Sequence, residues 1–112
     1  MIKGMHGIVF TPEAEAARAF TKDKLGFAHV DAGDGWLIFD IPKAEFAFHP
    51  GTDTHHEISF WCDDIEVTMT ELRAKGVEFK SPVQDQGFGL VTTFAMPGSA
   101  EVVLYEPRHP QP

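Results

Sequence analysis

Short apolar runs broken by Gly, Pro and Asp turns fill most of the chain, and two stretches interrupt them with helical spacing. Residues 5–10 are apolar and weakly alternating, which predicts a strand. The run "TPEAEAARAFTKDKLGF" changes character. Thr11 can cap, Pro12 suits a first helical turn, Glu13 and Glu15 favour the positive end of the helix dipole, and Leu25-Gly26 closes the helix. "FAHVDAG", "GWLIFDIP" and "AEFAFHPG" then predict three short strands.

The second half repeats this order. "EISFWC" predicts a strand. In "DDIEVTMTELRAKGV", Ile65, Thr68, Met69 and Leu72 form a helical stripe, Asp63 or Asp64 caps it, and Gly76 stops it. "VEFKSPV", "GLVTTFAMP" and "AEVVLYEP" predict three further strands. The repeat holds residue by residue. "LGFAHV" stands 50 positions before "KGVEFK", "GWLIFDIP" 54 before "GLVTTFAMP", and "AEFAFHP" 56 before "AEVVLYEP". Glu45 thus lies over Glu101, Ala47 over Val103 and His49 over Tyr105. The expected fold is α+β. Residues 1–112 form one domain of two tandem βαβββ modules, residues 1–52 and 53–112, each helix on the outer face of its half-sheet.

Composition narrows the function. A hydrophobic fraction of 43% in 112 residues supports a packed interior. No apolar run approaches the ~18 residues of a membrane span, and no secretory leader is visible. The single cysteine, Cys62, allows no internal disulfide, and together these features predict a cytoplasmic protein. The formal charge of −8 opposes nucleic acids and anionic membranes and favours cationic ligands. No Walker A loop, GxGxxG or GxSxG is present. Cys62 is expected on the helix-facing side of its strand as an inert thiol, "GDG" and "GFG" as hairpin turns, and "PRHPQP" as an unpaired tail.

"MHGIVFTPEAEAARAFTKDKLGF" resembles the opening of the vicinal oxygen chelate superfamily: a strand with an early His, an acidic helix start, then Phe20, Asp23, Leu25, Gly26 and Phe27. "CDDIEVTMTELRAKGVEF" is similar to the second-module helix of that superfamily, and "MPGSAEVVLYEP" to its last hairpin. The superfamily includes glyoxalase I, extradiol dioxygenases and bleomycin-resistance proteins. The resemblance implies a curved mixed sheet around a cavity and, by family habit, a homodimer. In the metal enzymes it implies a divalent ion held by side chains of the first and last strands of each module.

Of those four positions, two carry donors. His6 matches on the first strand, and Glu57 stands where the family has His. A neutral imidazole suits Zn, Fe, Ni or Mn, and a carboxylate can join it. The other two positions fall on Ala47 and Val103, which cannot ligate. Glu45 and Glu101, each two residues before an empty position, are the displaced candidates, with Glu101 taken as the third ligand if a metal binds. Alternation places His55, Glu57, Ser59 and Trp61 on one face, with Ile58, Phe60 and Cys62 under the helix. The expected ligand-binding lining is Phe10, Trp36, His49, Ser59, Trp61, Thr92, Phe94 and Tyr105, an aromatic pocket for a small organic molecule.

Three functions are open to such a chain. It is a metal-dependent enzyme of glyoxalase-like lyase or extradiol-dioxygenase type, with metal on His6, Glu57 and Glu101. In a metal-free version, Glu57 is the catalytic base. Alternatively it is a drug-sequestering protein that binds its ligand without catalysis, or a domain whose cavity is vestigial.

Overall fold

Two carboxylates set the start of the best-formed helix. Asp64 is extended, and its Oδ1 accepts the Val67 N–H at 3.1 Å, so it caps α2 (Ile65–Ala74) as expected. Glu106, far along the chain, accepts the Ile65 N–H at 3.1 Å. Two of the helix's free N–H groups are thereby satisfied, one locally and one by tertiary contact. Gly76, with φ +85°, turns the chain out of the helix end.

The computed structural model describes residue 1, residue 3 and residues 5–112. The first helix, α1 (Ala14–Phe20), continues as a π-helical turn over Thr21–Leu25 and ends at Gly26, whose φ is +74°. Thr11 does not cap it. Its hydroxyl accepts the Glu13 N–H at 3.1 Å and bends the chain into the helix instead. The strands are β1 (His29–Asp31), β2 (Leu37–Phe39), β3 (Ser59–Trp61), β4 (Gln84–Asp85), β5 (Gly89–Met96) and β6 (Ser99–Pro107). β1 and β2 form an antiparallel pair. The other four form one sheet in the order β3-β6-β5-β4, with β3 parallel to β6 and the rest antiparallel.

The core lies on the helical side of this sheet. Ile65 and Met69 of α2 and Phe20 of α1 pack with Val77, Phe94, Val102 and Leu104. Phe94 is its centre, 1% exposed, with the rings of Phe20, Phe60 and Phe79 at 6.5, 6.3 and 6.1 Å. Both helices therefore bear on the four-stranded sheet, and α1 does not cover a half-sheet of its own. Their ends also meet: a Cβ on Gly26 would sit 3.9 Å from Lys75 Nζ, and one on Gly76 3.6 Å from Lys24 Nζ.

Three expected strands change. Residues 5–10 and 44–49 form no strand. Both segments lack ladder partners in the single chain, and their aromatic side chains stay uncovered, with Phe10 91% and Phe48 87% exposed. The strand expected over 77–83 shrinks to one bridge, Phe79 to Phe94. There the chain binds β5 through Lys80 N–H to Thr93 O at 2.8 Å and Ala95 N–H to Glu78 O at 3.0 Å. Pro82, with no N–H, stands between this stretch and β4.

Candidate functional site

Register decides which side chains share the sheet face away from the helices. Ser59 pairs with Val103 and Trp61 with Tyr105, so these four project together. Across β5, Thr93 pairs with Val103 and Val91 with Tyr105, which adds Thr93 and Val91. Phe88 closes on Tyr105 edge-on, ring centres 5.8 Å apart. Tyr105, the only tyrosine, is half-buried. Burial, with the Glu45 carboxylate nearby, pushes its phenol above the ordinary value.

Thr92 and Phe94, expected on this face, lie on the opposite one. The cause is a β-bulge. At the Pro97-Gly98 turn Met96 pairs with Ser99, and an uninterrupted hairpin would place Phe94 opposite Glu101. One extra residue on β6, where Ala100 and Glu101 both stand opposite Ala95, moves Phe94 to Val102 and Thr92 to Leu104, both core residues. Thr92 is buried, and its hydroxyl donates to Ser81 O at 2.8 Å, tying the 80s segment to β5.

The remaining expected site residues scatter. Trp36 is exposed beside α1, with the Arg18 guanidinium 5.8 Å over its ring. Phe10 is open to solvent, and the exposed His49 ring lies 2.7 Å from Pro50 O through Nδ1. Glu57 is exposed, and its Oε1 lies 3.6 Å from His55 Nε2, as i, i+2 spacing on an extended chain allows. Asp53 approaches the other nitrogen of His55 at 3.5 Å. His6 and Glu101 are exposed. Among the described residues, no group of three or more His, Cys, Asp or Glu comes together as a metal site. With Ala47 and Val103 carrying no donor, the described residues of one chain do not fit a divalent ion.

Two surface hollows border α1. One of about 400 Å³ is lined by Arg18, Lys22, Asp23, Asp34 and neighbours, and one of about 280 Å³ by Ala16, Phe20, Lys24 and Pro97 among others. None of the expected ligand residues lines either. Cys62 is half-buried, and its thiol donates to Tyr105 O at 3.7 Å. Burial raises its pKa, and Glu106, Asp63 and Asp64 add to this against a smaller opposing hydrogen bond with Thr68. That suits the inert thiol expected there.

Sequence reasoning missed the tail. Expected as an unpaired end, it is pinned at four points. Arg108 N–H donates to Phe88 O at 2.8 Å, and the Arg108 guanidinium donates to Asp85 Oδ2 at 2.8 Å. The Gly87 N–H and then Arg108 hold the Asp85 carboxyl below its usual range. His109 Nε2 meets Tyr105 Oη at 3.1 Å, and Gln111 donates to Glu45 Oε1 at 2.8 Å. The opposite charges of Arg108 and Asp85 were the available signal, but their partnership spans 23 positions.

A sheet ordered β3-β6-β5-β4 with its helices on one side, built from the second half of a repeated sequence, matches a known pattern. The sequence profile of the Glyoxalase/Bleomycin resistance protein/Dioxygenase superfamily fits residues 5–108. The chain belongs to this superfamily. Solved structures of similar fold include TnmS3, an antibiotic binding protein from Streptomyces sp. CB03234, at 19% identity and TM-score 0.68, covering 96% of this chain and 98% of that one. Another is a lactoylglutathione lyase from Agrobacterium tumefaciens, at 16% identity and TM-score 0.66, covering 92% of each chain. A glyoxalase/bleomycin resistance protein/dioxygenase from Nocardioides has 21% identity and TM-score 0.60, covering 85% of this chain and 76% of that one. No curated protein sequence matches. The glyoxalase-superfamily fold thus holds a binder and a lyase alike, so the fold does not choose between these activities. No helix among the described residues is long and apolar enough to cross a membrane.

Proposed function

We propose that this chain binds a flat, cationic organic molecule without transforming it. The carrying observation is the pair Trp61 and Tyr105, side by side on the helix-free face of the sheet in a chain of charge −8. Aromatic faces attract cations electrostatically, and the acidic chain raises the local concentration of such a ligand. Ser59 and Thr93, on the same face, supply hydroxyls that can orient it. The antibiotic binding role of TnmS3, a fold neighbour, agrees with this reading.

The binding unit is a homodimer in the cytoplasm. Phe10, Phe46 and Phe48 are 91%, 70% and 87% exposed, and Ile8 and Val9, which precede Phe10, are exposed too. That much uncovered apolar surface on two partnerless extended segments favours a second copy as cover.

Untagged protein tests the reading through metal analysis and dye binding together. Absence of stoichiometric metal with saturable binding of 9-aminoacridine is the expected result. A stoichiometric divalent ion lost in His6→Ala would favour the lyase or dioxygenase reading instead.

A further inference from the structure

The C-terminal segment crosses the same sheet face that carries Trp61 and Tyr105. Its backbone is tied to Phe88 O through the Arg108 N–H, at 2.8 Å. Its side chains reach three separate parts of the fold. Arg108 pairs with Asp85 of β4, His109 meets Tyr105 of β6, and Gln111 donates to Glu45 in the first half of the chain. The His109 ring also packs on the Tyr105 ring, centres 5.8 Å apart at 38°.

The tautomer follows from the partners. Pro110 O, 2.8 Å from His109 Nδ1, can only accept, so Nδ1 carries the proton. Nε2 of the neutral ring is then bare and accepts from the Tyr105 hydroxyl. The one phenol on this face is therefore engaged by the protein's own tail, through its hydroxyl and part of its ring.

We propose that residues 108–111 form a strap over the Tyr105 end of the sheet face, which must lift before a ligand can reach that ring. The ties are few and mostly exposed. The Arg108 to Asp85 pair is exposed on both sides, and exposed pairs contribute little. The Gln111 to Glu45 bond is exposed too. Such a segment opens without unfolding the sheet beneath it. The gating part of this inference rests on the proposed ligand face, whereas the cover itself does not.

Because Tyr105 is the only tyrosine, acetylation of its phenol by N-acetylimidazole reports the cover directly. Three folded proteins are compared: the full chain, a chain ending at Pro107, and His109→Ala, with circular dichroism as the check on folding. The truncated chain should react about tenfold faster than the full chain, and His109→Ala several-fold faster. Equal rates would overturn the strap, and if the truncated chain does not fold, an unchanged rate in His109→Ala does so alone. A 9-aminoacridine titration then separates the two readings. Tighter binding to the truncated chain supports the gate, and equal binding to both chains overturns it. Faster acetylation with no dye binding to either chain would sink the ligand reading and leave the strap as a cover.

Discussion

Phe94 touches more aromatic rings than any other described side chain, and its position depends on a single extra residue in the hairpin. Removing the ring opens a void between both helices and the sheet. Phe94→Ala should cost about 3–5 kcal/mol, read by urea unfolding. A cost below about 1 kcal/mol would mean that the cluster is not the core. Gly98 is constrained differently. Its φ is +83°, and a Cβ there would press on Thr11, 3.0 Å from the threonine Cβ. Its N–H donates to Glu13 Oε2 at 2.8 Å, so the turn is also a clamp on the start of α1. Gly98→Ala should destabilise by about 1–3 kcal/mol through left-handed strain plus this clash. Cys62 has its thiol pKa raised, so less thiolate is present at a given pH than for a free cysteine. Its reaction with a disulfide reagent should be slower than that of glutathione at mildly alkaline pH and should accelerate as pH rises through the raised value. A rate matching glutathione would contradict the burial.

At the scale of elements, α2 is over-determined, and the segments at residues 5–10 and 44–49 are under-determined. Asp64→Ala removes the local cap and should cost about 1 kcal/mol, while α2 persists because Glu106 still holds the Ile65 N–H. Asp64→Ala combined with Glu106→Ala should cost more than the sum of the two single changes, measured by urea unfolding. Strict additivity of the two would show that they do not share the helix end. This contrast explains what was legible in the sequence. The α2 stripe, its Asp64 cap and its glycine stop are local signals, and they were readable. The α+β order and the superfamily were readable because the helix starts, the Leu25-Gly26 and Gly76 stops and the final hairpin are local sequence signals. The faces of Thr92 and Phe94 were not, because a one-residue bulge reverses the alternation and nothing in "TTFAMPGSA" marks it. Nor was the strap, since each of its side-chain ties except that of His109 joins residues more than twenty positions apart. His6, Glu57 and Glu101 were placed from resemblance to a four-ligand set, and that set depends on strands in the first module that one chain does not pair.

On the scale of the whole molecule, the two halves differ in how much they bury. The second half of the chain carries nearly the entire core, whereas Phe46 and Phe48 pack mainly on each other, ring centres 4.9 Å apart, and stay exposed. A second copy covering these segments predicts a dimer in sedimentation velocity, and Phe46→Asp with Phe48→Asp should shift it to monomer. A wild-type monomer at working concentration would remove the dimer from the account. The charge of −8 adds a second consequence: binding of a cationic ligand should weaken as salt rises. The most direct test of the account is a fluorescence titration of chelator-treated Trp36→Phe protein, in which Trp61 is the sole tryptophan, with 9-aminoacridine. Saturable quenching of Trp61 without added metal, weakened in Tyr105→Ala, is the expected result. Quenching that appears only when a divalent ion is restored, or none at all, would contradict it.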